Sequence, residues 1–89
     1  MIKMTKQRKV DCVYLLRLVK LLEDPFSDYY SDGYLNSEGM TILSLIAQLT
    51  IREAPWAASL FRRARERRDY QSVIKILEDI RELCPGSGY

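Results

Sequence analysis

Apolar residues recur at helical spacing through four stretches of this chain, and each stretch ends where a helix is hard to continue. The first runs from Thr5 to Leu22 and stops at Asp24-Pro25, since proline disfavours helical geometry in the residue before it. The second opens with Ser37 as N-cap and runs to Arg52. The third spans 55–68 with Pro55 in its first turn, where a missing N–H does no harm. The fourth spans 70–84, N-capped by Asp69 and stopped by Pro85-Gly86-Ser87-Gly88. Their centres fall near Leu16, Ile46 and Ile76, with Trp56 marking the start of the third. At 89 residues the chain can build one core, burying roughly 60–65% of its unfolded surface. The expected fold is all-α: a single small bundle of about four helices over residues 1–89, with flexible ends at 1–4 and 85–89.

Each helix has a distinct face. The first is apolar around most of its circumference, with Val10, Tyr14, Leu18 and Leu21 on one side and Cys12, Leu15, Leu16 and Val19 on the other. A narrow stripe of Lys6, Lys9, Arg17 and Lys20 remains, with Val13 in its gap, which predicts a central position in the bundle. The second helix puts Ile42, Leu45, Ile46 and Leu49 inward, and its polar stripe (Thr41, Ser44, Gln48) is uncharged. So neutral a helix is buried on two sides, within the monomer or at a self-association surface near residues 40–52. The third carries Trp56, Ala57, Leu60, Phe61 and Ala64 on its apolar face, and Trp56 is expected to be largely buried. The fourth turns Tyr70, Val73, Ile76, Leu77, Ile80 and Leu83 inward, with Lys75 and Asp79 spaced as an i,i+4 pair.

The stretch Ala64 to Pro85, with Asp69-Tyr70 between helices, then Val73-Ile74, Leu77, Ile80 and a closing Pro85, resembles the second half of a tetratricopeptide repeat. The resemblance covers residues 54–88 and implies an antiparallel helical hairpin. The sequence departs from the repeat pattern at Phe61, Val73 and Ile80, where small residues are expected, and carries no second repeat.

The connection Glu23 to Asn36 is long for a compact domain. It interleaves Phe26, Tyr29, Tyr30 and Tyr34 with Asp24, Asp28 and Asp32. Asp32-Gly33 between Tyr-Tyr-Ser and Tyr-Leu-Asn is a type I′ turn signal, predicting a short β-hairpin near residues 29–36 that depends on the helices for stability. At least two of the aromatics are expected to cap an open end of the core.

Charge is arranged in blocks. Residues 1–22 carry +5, 23–39 carry −5, 40–61 are neutral, 62–68 carry +4 and 69–89 carry −2, for a net +2. The longer apolar runs are interrupted by Asp11, Arg17 and Lys20, or are short and polar-studded, so neither a membrane span nor a leader is expected, and the chain reads as cytoplasmic. Catalysis is not expected. The chain has no His, no phosphate-binding glycine loop, no nucleophile elbow and no zinc spacing. Cys12 and Cys84 read as buried structural thiols, and neither metal nor cofactor is called for.

Binding remains, in two forms. In the first, the stripe Lys6, Lys9, Arg17, Lys20 and the cluster Arg62, Arg63, Arg65, Arg67, Arg68 contact a nucleic-acid backbone with little sequence preference. Arginine suits phosphate through bidentate contacts. Such a chain is similar in outline to the small helical subunits that line nucleic acid in larger nucleoprotein assemblies, CRISPR effectors among them. If the third helix lies beside the first, the two cationic elements form one track, with the acidic connection on another face. In the second form, Asp28, Tyr29, Tyr30, Asp32 and Tyr34 are the epitope of a protein-interaction module or a phage-encoded type of inhibitor, docking on a basic partner.

Overall fold

The computed structural model describes residues 12–84. Four helices, α1 (Cys12–Glu23), α2 (Ser37–Ile51), α3 (Ala57–Arg67) and α4 (Tyr70–Arg81), enclose one core, and a two-residue hairpin, β1 (Tyr30–Ser31) and β2 (Tyr34–Leu35), lies between α1 and α2. The predicted beginning of the first helix, with Lys6 and Lys9, and both chain ends lie outside the described residues.

α1 buries Leu15, Leu18, Val19 and Leu22; α2 buries Leu43, Ile46, Ala47 and Thr50. The Thr50 hydroxyl would be costly to bury unpaired, and it donates to the Ile46 carbonyl at 2.6 Å. α3 contributes Ala57, Phe61 and Ala64, and α4 contributes Val73, Ile76, Leu77 and Ile80. α2 packs between α1 and α3; of its expected inward residues Ile46 is buried while Ile42, Leu45 and Leu49 are half-buried, because Leu43 and Ala47 face the core. α4 closes the ring between α3 and α1. α1 and α3 therefore face each other across the core, and the two cationic helices do not lie side by side. Nor is α1 central. Among the described residues its main neighbours are α2 and α4, and Val13 stays 71% exposed, with Tyr14 and Leu21 partly so.

Three further expectations are corrected. Cys12 and Cys84 are not thiols but a disulfide, with Cα atoms 5.8 Å apart. α1 and α4 run antiparallel, which brings the start of one to the end of the other within bridging range. Closing a loop with a sequence separation of 72 lowers the entropy of the unfolded chain, worth roughly 4 kcal/mol in the loop-closure treatment. The N-cap of α2 is Asn36, one residue before Ser37: its side-chain oxygen accepts from Gly39 N–H at 2.9 Å. Trp56 is 54% exposed. The core-facing line of α3 runs through Ala57, Phe61 and Ala64, about 100° around the helix from Trp56.

The hairpin is present as the Asp-Gly signal predicts. Asp32 (φ 55°) and Gly33 (φ 85°) both take the positive φ of a type I′ turn, and Tyr30 pairs with Leu35, Ser31 with Tyr34. Two ladder positions cannot hold such an element in water. The rest of the molecule holds it instead. Leu35 N–H donates to the Arg68 carbonyl at 2.9 Å, and Tyr70 N–H donates to the Gly33 carbonyl at 3.0 Å, joining the hairpin to the α3–α4 corner.

Candidate nucleic-acid interface

The five arginines of α3 and its C-cap follow from the helix that carries them. α3 presents a narrow core line of small residues plus Phe61, which leaves most of its circumference to solvent. Arg62, Arg63, Arg65, Arg67 and Arg68 are all exposed. At 100° per residue they do not form a single patch. Arg62 and Arg65 leave from one flank and Arg63 and Arg67 from the other, with Glu66 between the pairs. The last of them closes the helix: Arg68 is the C-cap, in left-handed geometry at φ 64° and ψ −8°, its N–H donating to the Ala64 carbonyl. Glycine takes that conformation freely, whereas a side chain there costs roughly 1–2 kcal/mol.

These cations are largely without carboxylate partners. Among the described residues, ion pairs within 4.0 Å are Arg67–Asp69, at 3.7 Å, and Arg81–Glu23. Arg81 also donates from Nε to Glu23 Oε2 at 3.0 Å, tying the end of α4 to the end of α1. Arg62, Arg63, Arg65 and Arg68 are in neither pair, nor are Arg17 and Lys20, which stand on the outer face of α1. Lys75 and Asp79 form no ion pair either. Asp69 is the N-cap of α4, and its carboxyl is held below the ordinary value of 3.8. The Ser72 hydroxyl, donating at 2.7 Å, is the main cause, with Ser72 N–H and Arg67 adding to it against burial.

The acidic connection is a neighbour of this cationic end rather than an occupant of a remote face, because the hairpin turn is bonded to the residues that follow Arg67. Asp28 and Asp32 are nevertheless exposed and unpaired with Arg62–Arg68 among the described residues. The expected epitope of Asp28, Tyr29, Tyr30, Asp32 and Tyr34 is divided. Tyr30 is buried: its hydroxyl donates to the Leu22 carbonyl at 2.7 Å, and its ring meets Tyr70 edge-on at 5.3 Å. Tyr29 is half-buried, and its carbonyl accepts from Asn36 N–H at 3.0 Å. Tyr34, 54% exposed, and Phe26, 92% exposed, are the aromatics left outside.

A groove between α3 and α4 brings together residues that the charge blocks do not reveal. Leu60 and Ala64 from α3 and Ile76 from α4 form its floor, and Arg63, Arg67, Ser72, Lys75 and Asp79 form its walls. Lys75 and Leu60 were not among the expected site residues. The signal for Leu60 is a spacing, since Trp56, Leu60, Arg63 and Arg67 fall at i, i+4, i+7 and i+11 along one line of α3, whereas Lys75 comes from α4 and no spacing in α3 points to it. Among the described residues no helix is long and apolar enough to cross a membrane. No family model, curated protein or solved structure matches this chain.

Proposed function

We propose that the chain is a non-catalytic helical module that contacts the phosphate backbone of nucleic acid through α3, as a subunit or accessory of a larger nucleoprotein assembly. One observation carries the reading: five arginines within seven residues are exposed, and only Arg67 has a carboxylate within 4.0 Å among the described residues. Exposed cations that the fold does not neutralise remain available to phosphate oxygens, which guanidinium groups bind in bidentate fashion. The arginine at the left-handed cap supports the same reading, since glycine would serve the fold better there. Arg17 and Lys20 are a second contact on another helix, separated from α3 by the core, and not a continuation of one track.

The test is an anisotropy titration against single- and double-stranded DNA and RNA at two salt concentrations. Binding should weaken steeply with salt, by roughly 0.7–0.9 in log–log slope for each phosphate contacted. Salt-independent binding, or none to any of the four, would remove the proposal.

A second reading is favoured by Phe26 and Tyr34, exposed beside Asp24, Asp28 and Asp32. Aromatic anchors with flanking carboxylates suit a basic protein partner. Saturable, salt-tolerant binding to one protein, lost on Phe26→Ala, would favour it.

A cytoplasmic setting is part of the main proposal and carries a condition. Cytosolic thiol pools keep most cysteines reduced, so Cys12 and Cys84 would there be free and α1 would be held to α4 by packing, the Arg81–Glu23 pair and the Tyr70 hydroxyl on the Glu23 carbonyl. Thiol alkylation in intact cells before lysis tests this, because a bridge found oxidised assigns the chain to an oxidising compartment.

A further inference from the structure

The α3–α4 groove has an apolar floor beneath a cationic rim, and a double helix could use only the rim. In a duplex the base faces are stacked inside and the phosphates lead, so Leu60, Ala64 and Ile76 would meet nothing apolar. A single strand differs, since it carries one charge and one free planar face per nucleotide. Proteins that hold single strands combine a positive groove with aromatic side chains on which bases stack.

Both parts are present on one side of this molecule. Arg63, Arg67 and Lys75 stand against one wall carboxylate, Asp79, and against Asp69 beside Arg67, so the groove keeps a cationic excess that favours a polyanion. Trp56, 54% exposed, lies one helical turn from Leu60 on the line that continues to Arg63 and Arg67. From Trp56 to Arg67 that line is about 16 Å long at 1.5 Å per residue. The groove holds about 230 Å³, below the usual range for small-molecule pockets, and so takes part of a ligand rather than a whole one. An amphipathic acidic helix would need several apolar anchors in a row. The floor offers mainly Leu60, since Ala64 and Ile76 are buried in the core, and one apolar contact among closely spaced charges fits the alternation of base and phosphate better.

We infer that the α3–α4 side binds single-stranded in preference to double-stranded nucleic acid, with phosphates on Arg63, Arg67 and Lys75 and an unpaired base stacked on Trp56. The inference rests on the backbone-binding reading above and specifies its ligand.

The experiment compares a fluorescein-labelled twenty-nucleotide thymidine oligomer with a blunt duplex of the same length, at one salt concentration, on the intact chain. Trp56 is the sole tryptophan, so its emission reports the site directly. The oligomer should bind at least about fivefold more tightly than the duplex and quench Trp56 emission. Trp56→Ala should weaken the oligomer by at least about fivefold and leave the duplex unchanged, and Trp56→Phe should recover most of the loss. Circular dichroism of each variant separates loss of binding from loss of fold, and the wild-type quench needs no variant at all. Equal affinity for the two ligands without quenching overturns the single-strand inference and leaves the backbone reading standing. No binding to either ligand overturns both. Binding of an acidic amphipathic peptide in that case would assign the groove to a protein.

Discussion

Residues 24–36 and residues 62–68 are both charged and lie at the same end of the bundle, where Leu35 N–H donates to the Arg68 carbonyl. Their side chains do different things. In the connection, Tyr30 bonds the end of α1, and Asn36 caps α2 while its amide donates to the Asp28 carbonyl at 2.7 Å. Nearby, Tyr70 reaches from α4 to the Glu23 carbonyl and packs against Tyr30. In the arginine segment, Phe61 and Ala64 hold the helix down, and among the described residues only Arg67 of the five has a carboxylate within 4.0 Å. Tyr30, Asn36 and Tyr70 are thus spent on the fold, whatever their place among acidic residues suggests, whereas Asp28 and Asp32 stay exposed. Charges left over after folding are where a partner should be sought.

The contrast can be broken by substitution, and the largest effect is expected at the connection. Tyr30→Ala removes a buried ring and its hydrogen bond, and should cost about 3–5 kcal/mol in chemical denaturation. A cost below about 1 kcal/mol, the range of surface positions, would mean that the connection does not hold the fold together. The same site gives a pH test. Burial, and then Tyr70 nearby, raise the Tyr30 hydroxyl above its ordinary 10.0; burial, and then Glu23, raise Tyr70. The unfolded chain releases these protons from about pH 10 while the folded chain keeps them. The native state therefore binds more protons, so stability is full below pH 10 and falls as pH rises above it. Tyr30→Phe should flatten much of that fall.

Gly39→Ala sharpens the comparison. Helix propensity alone favours alanine inside a helix by about 1 kcal/mol. A Cβ at Gly39 would overlap the Tyr29 carbonyl oxygen and the Leu35 side chain, so the hairpin must shift away from α2. Destabilisation of about 1–3 kcal/mol is expected, and a gain in stability would contradict the close approach. On the arginine side the sign reverses. Arg68→Gly should raise stability by about 1 kcal/mol by relieving the left-handed cap, while lowering affinity for nucleic acid. No loss of affinity would remove Arg68 from the interface.

Much of the fold was legible in the sequence, and the failures share a cause. Helical spacing located the four helices, and Asp32-Gly33 located the hairpin, because these signals are local. Which face of α3 meets the core depends on where α2 and α4 sit, and that moved Trp56 outside. Pairing of Cys12 with Cys84 depends on α1 and α4 running antiparallel, which no spacing between them encodes. Tyr30 looked like an anchor for a partner because aromatic residues between acids suit both roles. Only its contact with Leu22 and Tyr70 decides which role it takes. For the candidate interface, the sequence gives the arginines but not their division between two flanks of α3, nor Lys75 beside Arg63 and Arg67.

The central claim is that the arginines of α3 serve a polyanionic partner and not the fold. The most direct measurement is the Arg62→Glu, Arg63→Glu, Arg65→Glu variant, compared with the native chain for both stability and salt-dependent binding to nucleic acid. Stability should change by no more than about 0.5 kcal/mol, as for other exposed positions, while binding is abolished. Loss of the helical signal, or binding that survives the reversal of three charges, would contradict the account.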